Sequence, residues 1–288
     1  MIFEHEIPNG SRLYFGDSAK LKRTLENAIS KCLVDEGFEE IVTPIFSYYQ
    51  HQSIDDETKL IKIADESNNQ IALRADSTMD AVRIITKRLG RTTSHKKWFY
   101  VQPVFSYPSN EHNQIGCEWL DHSDVCDVIN LAVKIVKELD ISPTVQLSNI
   151  NIPKLIAKEL SIEEELFSNG EIDKLFGLGL PWLNDLLCAT SANDLKQAVN
   201  LSPKIIAFEL TKLIELCEKI DYPNLIVAPL YQSSLKYYDD IYFRIFEQNT
   251  TIIKGGKYKS TQKNESDIDS LGFAIYTDNL LKILEDRR

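Results

Sequence analysis

The sequence predicts an α+β fold in which an antiparallel sheet is flanked by helices and interrupted by a helical insertion. Three observations carry this. Strand patterns cluster with short links over the first half of the chain. Helical periodicity then runs from about Ile152 to Ile220, and strand patterns return from Tyr222. The chain is divided accordingly into a discontinuous core, residues 1–151 and 221–288, and an insertion, residues 152–220.

In chain order, Asp17 is placed to cap a helix whose apolar stripe is Leu21, Leu25, Ile29, Cys32 and Leu33, and Gly37 to end it. "FEEIVTPIFSYY" reads as one strand, with Pro44 confining it to an edge or an irregular pairing. "QIALRADST" is a short strand entering a helix capped by Ser77 or Thr78, striped by Val82, Ile85 and Leu89, and ended by Gly90. "KKWFYVQPVF" and "NQIGCEWL" read as adjacent strands, followed by an amphipathic helix in "SDVCDVINLAVKIVKEL" and a strand in "TVQLSNI". Gly170, Gly177, Gly179, Pro181 and Pro203 break the helical block. Strands resume in "NLIVAPL", "DDIYFRIFE", "TTIIKGG" and "SLGFAIY", and "TDNLLKILED" closes with a helix. "KYKSTQKNESDIDS" reads as a mobile polar loop.

With 43% hydrophobic residues the chain can form a core, so wholesale disorder is not expected. A net charge of −11 disfavours phosphate backbones as partners, so no nucleic acid is expected. No apolar run spans a bilayer, and "MIFEHEIPNG" lacks the pattern of a signal peptide. Five widely spaced cysteines with no C-x-x-C suit a reducing compartment. A cytoplasmic protein without a membrane is therefore expected.

In the strand around "NQIGCEWL", Gln114, Gly116 and Glu118 share one face, and the anchors of Gln114 and Glu118 lie roughly 13 Å apart. That gap admits one amino-acid-sized ligand, with a carboxylate for an imidazole N–H at one end and an amide at the other; a solvated strand face gives the same pattern. Asp76, with Thr78 beside it, suits a ligand ammonium, or else caps a helix. Of Tyr237 and Tyr238, one belongs to the core and the other is free to line a pocket. "KGGKY" offers glycines at a strand end, for close approach to a ligand or for a tight turn. His112, Cys117, His122 and Cys126 lack paired zinc-ligand spacing, so no metal is expected. "GLG" at Gly177–Gly179 precedes a proline and is no dinucleotide fingerprint.

Taken in order, "EIVTPIF", "LRADST", "FYVQPVFS", "NQIGCEWL", "LKYYDDIYF", "IIKGGKY" and "LGFAIYTDNL" resemble histidyl-tRNA synthetase-like catalytic domains, members of the class II aminoacyl-tRNA synthetase fold. The resemblance spans nearly the whole chain. It implies that Asp76, Thr78 and Gln114 meet the α-amino group of histidine, and that Glu118 and Tyr238 meet its imidazole. It also exposes three departures. Ser106 stands in "FSYP" where synthetases carry the arginine of F-R-x-E. Ser233 replaces the arginine of R-G-L-D-Y-Y, and Asn279 the arginine of the third class motif. Fixed cations stabilise charge developing on phosphate oxygens, and losing one such group costs on the order of a hundred- to thousandfold in rate. Lys236 and Lys257 are cations without a guanidinium fork.

This pattern is similar to the regulatory subunits of ATP phosphoribosyltransferase, and "LRADST" is nearer their L-R-A-D-x-T than the synthetase L-R-P-E-G-T. The resemblance implies no catalytic residue, no cofactor and no aminoacylation. It implies a short-form catalytic subunit as partner in a hetero-oligomer at the first step of histidine biosynthesis. It further implies L-histidine as feedback effector, a homodimer through the Pro44 region, and no anticodon-binding domain beyond Arg288. Asp240 in place of a glycine and "GGKYK" in place of G-G-R-Y-D depart from that family. Two rivals stay open: a divergent histidine-activating ligase, and a scaffold that no longer binds histidine.

Overall fold

A computed structural model describes residues 3–51, 56–233, 237–261 and 267–287. The elements, in chain order, begin with α1 (Gly16–Asp35), β1 (Glu39–Glu40), β2 (Phe46–Tyr48), β3 (Lys62–Ala64), β4 (Gln70–Leu73) and α2 (Ser77–Arg83). β5 (Lys97–Ser106), β6 (Asn110–Leu120), α3 (Val125–Glu138) and β7 (Thr144–Asn149) follow. The helical block comprises α4 (Asn151–Leu160), α5 (Glu165–Ser168), α6 (Ile172–Phe176), α7 (Pro181–Cys188), α8 (Ala192–Val199) and α9 (Lys204–Lys219). β8 (Leu225–Val227), β9 (Tyr238–Glu247), β10 (Thr250–Thr261), β11 (Asp267–Tyr276) and α10 (Thr277–Asp286) complete the chain.

The chain forms two compact units: one of residues 1–121, 260–268 and 272–288, the other of residues 122–259 and 269–271. In the first, β1, β5, β6 and β11 lie side by side in that order, and β2, β4 and β3 make a separate small sheet. β5 and β6 pair antiparallel from Lys97↔Trp119 to Ser106↔Asn110. In the second, the order is β10, β9, β7, β8, with β9 antiparallel to β7 and β10. The predicted antiparallel sheet is in fact mixed, because β1 runs parallel to β5 and β8 parallel to β7.

Leu25, Ile29, Cys32 and Leu33 of α1 are buried as their spacing requires. Asp17, expected to cap this helix, sits within its first turn instead; Phe15 is the N-cap, and its N–H donates to Ser18 Oγ at 3.1 Å. Gly37, at φ 82°, supplies the left-handed residue that follows the helix. α2 is capped by Asp76, not by Ser77 or Thr78: Met79 N–H donates to Asp76 Oδ1 at 2.9 Å. The helix runs on as a π-helix over Ile84–Leu89 and ends at Gly90.

"FEEIVTPIFSYY" divides into β1 and β2, which lie in different sheets. The gap between them, residues 41–45, includes Pro44, and Arg74, 1% exposed, binds the backbone there. Its Nη1 donates to the carbonyls of Thr43 at 3.0 Å and Pro44 at 3.1 Å, and to Thr43 Oγ1 at 3.0 Å. Its Nε and Nη2 donate to Pro103 O at 3.0 and 2.7 Å. Backbone acceptors that would otherwise continue a ladder are thus taken by a guanidinium.

In the second unit, α3 is capped by Asp124, which accepts from Cys126 N–H at 3.0 Å, and buries Val128, Ile129, Ala132 and Val136. Pro181 opens α7 in the first turn, where its missing N–H costs nothing. Leu183, Leu186, Leu195, Leu210 and Leu213 form the core of the helical block. Where "KYKSTQKNESDIDS" is expected to be a polar loop, its described residues are strand: β10 continues to Thr261 and β11 begins at Asp267, and residues 262–266 lie outside the described residues. Tyr258 and Ser260 alternate inward there, at 0% and 2% exposure, while Lys257 and Lys259, alternating with them, supply the polarity that reads as loop.

Candidate functional site

In the first unit, Gln114, Gly116 and Glu118 do share a face of β6, and that face is not solvated. Glu118 is fully buried, and Gln114 nearly so. The pairing sets Trp98, Tyr100 and Gln102 of β5 directly opposite Glu118, Gly116 and Gln114. Tyr100, which the sequence reading passed over, is the centre of the arrangement. Its hydroxyl lies 3.0 Å from Thr78 Oγ1 and donates to Glu118 Oε1 at 3.5 Å.

Two glycines make this geometry possible. A Cβ on Gly116 would stand 2.2 Å from both Cζ and the hydroxyl oxygen of Tyr100. A Cβ on Gly272 of β11 would stand 2.1 Å from Glu118 Oε2. Gly116→Ala is therefore expected to displace the Tyr100 ring and cost on the order of 1–3 kcal/mol, as overpacking does. Thermal denaturation checks it; an unchanged melting temperature would show that the ring moves freely.

Thr78 is buried at the start of α2, and Asp76 is partly open just before it. Burial raises the Asp76 carboxyl from 3.8 to about 6; the Met79 N–H opposes this, and the Asp80 charge adds to it. Gln102 Oε1 accepts from Thr43 N at 3.3 Å and Oγ1 at 3.1 Å, so the layer beside Gln114 is tied to the Pro44 segment. Among the described residues, Gln102 Nε2 has no hydrogen-bond partner. Asp76, Thr78, Gln114 and Glu118 thus supply two carboxylates, a hydroxyl and an amide within one unit. That set suits a ligand with nitrogen donors more than an anion.

Tyr238 belongs to the second unit. It is the buried member of the pair with Tyr237, at 4% exposure. Gly255 and Gly256, expected at a strand end, lie inside β10 opposite Phe243 and Tyr242. The ladder slips between Gly256 and Tyr258, and a Cβ on Gly256 would meet Ile241 O at 2.5 Å and Tyr238 Cδ1 at 2.9 Å. The glycine serves close backbone approach and the seating of the Tyr238 ring, and no turn forms there.

Of the positions where synthetases carry arginines, Ser106 ends β5, Asn279 lies in the first turn of α10, and Ser233 precedes the 234–236 stretch. Lys257 Nζ is 2.9 Å from Asp269 Oδ2 and is engaged there; Lys236 lies outside the described residues. The two histidines and two cysteines set aside as zinc ligands are dispersed in role. Cys117 is fully buried, with burial raising its thiol well above the usual range, and His122 Nε2 is 2.7 Å from Asp127 Oδ2. No group of metal-ligating side chains occurs among the described residues.

The family model described as Histidyl-tRNA synthetase matches residues 14–174. An ATP phosphoribosyltransferase regulatory subunit of Wolinella succinogenes is 44% identical over 98% of this chain and 96% of its own. The protein of the same name from Helicobacter hepaticus is 40% identical over 99% of each chain. The chain belongs to this histidyl-tRNA synthetase-like family of ATP phosphoribosyltransferase regulatory subunits. Its fold agrees with the crystal structure of an ATP phosphoribosyltransferase regulatory subunit/histidyl-tRNA synthetase from Bacillus halodurans. That match has a TM-score of 0.85 at 18% identity, covering 98% of this chain and 84% of that one. It agrees also with histidyl-tRNA synthetase from Nostoc, with a TM-score of 0.79 at 15% identity, covering 99% and 76%. The class II synthetase-like fold is thereby established, and no helix among the described residues is long and apolar enough to cross a membrane.

Proposed function

We propose that the chain is a non-catalytic, cytoplasmic regulatory subunit of ATP phosphoribosyltransferase that binds histidine and passes feedback to a short-form catalytic subunit. The observation that carries the reading is a contrast. On what the family resemblance makes the amino-acid side of a synthetase-like site, Thr78, Tyr100 and Glu118 form a buried hydrogen-bonded run. The nucleotide side has serine, serine and asparagine at Ser106, Ser233 and Asn279. In this reading Asp76, Thr78 and Gln114 hold the α-amino group and Glu118 accepts from the imidazole. Tyr238 enters as an imidazole contact on the family resemblance alone.

The homodimer belongs to the same proposal. Val42 is 79% exposed, and Ile45, Phe46 and Tyr48 follow it around Pro44, also exposed. An apolar run left open on a rigidly anchored segment fits a self-complementary interface. In the same proposal, residues 152–220 form an insertion into the synthetase-like core.

Glu118→Gln tests the histidine reading. By calorimetric titration the wild-type chain should bind L-histidine, and the variant should bind it at least roughly tenfold more weakly, since a charge-assisted bond is lost. Equal affinities would remove Glu118 from the site, and no binding to the wild type would leave the scaffold rival. Histidine-dependent exchange between ATP and pyrophosphate above background would establish the ligase rival instead.

A further inference from the structure

The histidine reading leaves one group of the ligand unassigned. Asp76, Thr78 and Gln114 take the ammonium and Glu118 the imidazole, and nothing takes the carboxylate. That carboxylate is carried on the same carbon as the ammonium, so it lies at the Gln114 end of the β6 face. Gln102 of β5 lies directly opposite Gln114. Directly opposed residues share a sheet face, with Cβ atoms about 5 Å apart. Gln102 is only 6% exposed.

The neighbours of Gln102 fix which way its amide is turned. The Thr43 backbone N–H can only donate, and it donates to Gln102 Oε1 at 3.3 Å. The Thr43 hydroxyl accepts from Arg74 Nη1 at 3.0 Å, which leaves its own proton for Gln102 Oε1 at 3.1 Å. Turning the amide over would set one donor, Nε2, against another, the Thr43 N–H. The oxygen therefore faces Thr43, and Nε2 stands on the other side of the amide carbon. Nε2 is buried, and among the described residues it has no hydrogen-bond partner. Its N–H bonds go unmet, a cost that buried amides in native proteins rarely bear.

We infer that Gln102 Nε2 recognises the α-carboxylate of the ligand, so that Gln102 sets the preference of the site for an amino acid over the corresponding amine. A carboxylate only accepts, and it is the partner that two unmet N–H bonds require. Asp76 and Glu118 are carboxylates themselves and cannot meet it when ionised. In this arrangement the Gln114 side chain turns toward the ammonium and admits a carboxylate oxygen to Nε2. A hydrogen bond to an ion is stronger than one between neutral groups. Thr43 holds the amide before the ligand arrives, which lowers the cost of binding. The inference rests on the histidine reading of the same face and adds to it the group that distinguishes histidine from histamine.

The test is calorimetric titration of the whole chain with L-histidine and with histamine, which keeps the imidazole and the ammonium and lacks the carboxylate. Wild type is expected to bind L-histidine at least roughly tenfold more tightly than histamine. Gln102→Met is expected to lose about that factor for L-histidine and to leave histamine within about twofold, so that the discrimination disappears. Gln102→Glu keeps an acceptor for both Thr43 donors and guards against a variant that fails to fold. It sets a carboxylate oxygen where Nε2 stood, and is expected to abolish or reverse the preference for L-histidine. A wild type that binds the two ligands equally, or Gln102 variants that weaken both alike, would overturn the inference and leave the histidine reading standing. A wild type that binds neither would remove that reading and the inference together.

Discussion

Asp76→Asn is expected to make the unliganded protein more stable at pH 7.5 while weakening its hold on histidine. Folding raises the carboxyl from 3.8 to about 6, through burial first. A raised pKa means that the folded chain binds the proton more tightly than the unfolded one. The penalty is absent below about pH 4, grows as pH rises to about 6, and is full above it. Asparagine carries no charge to desolvate and is as good a helix cap. The gain at pH 7.5 should be on the order of 1–2 kcal/mol, and it should vanish near pH 4. Histidine affinity should fall roughly ten- to hundredfold at the higher pH, because the ammonium loses its carboxylate. Urea denaturation at the two pH values, with a histidine titration, measures both. A variant that is less stable at pH 7.5 would show that the buried charge is not a net cost, and unchanged histidine affinity would remove Asp76 from the site.

Arg74→Met should be the most damaging single change in the first unit. Methionine fills similar volume but abandons the carbonyls of Thr43, Pro44 and Pro103 in a buried setting. Burial lowers the guanidinium pKa from its ordinary value while the Asp80 charge opposes this, so the cation is held at a desolvation cost that its hydrogen bonds offset. Removing one side of such an arrangement typically costs about 3–5 kcal/mol. Arg74→Lys should recover only part of this, since an ammonium cannot serve the carbonyls on both sides at once. The midpoint of urea denaturation reports the loss, and a change below about 1 kcal/mol would mean that water replaces the guanidinium. Because Arg74 anchors Pro44, the methionine variant should also weaken the proposed homodimer, read by sedimentation.

Much of the candidate site was legible because it is local. Period-2 alternation put Gln114, Gly116 and Glu118 on one face without knowledge of any partner strand. Asp76 stood at a strand-to-helix junction, where a carboxylate suits a cap or a ligand group; its Oδ1 caps α2, and its contact with histidine is the proposed part. Tyr100 was not legible, since its place over Gly116 depends on the register of β5 against β6, a pairing across many residues. A glycine centred on a polar face was the available signal, because such a glycine marks something large approaching it. Arg74 was hidden for a related reason. Its partners are main-chain carbonyls flanking Pro44 and Pro103, and the two prolines in strand patterns were the only sign that acceptors there needed a side-chain donor. The ends of β10 and β11 were misread as loop because Lys257, Lys259 and Asp269 give a loop-like composition on a strand period.

The most direct test mixes this chain with a short-form ATP phosphoribosyltransferase catalytic subunit from the same genome and follows phosphoribosyl-ATP formation as histidine is added. The account predicts a larger complex whose rate falls with histidine for the wild-type chain and does not respond when Glu118→Gln is used in its place. A complex that never forms, or a rate that histidine changes equally with both chains, would contradict it.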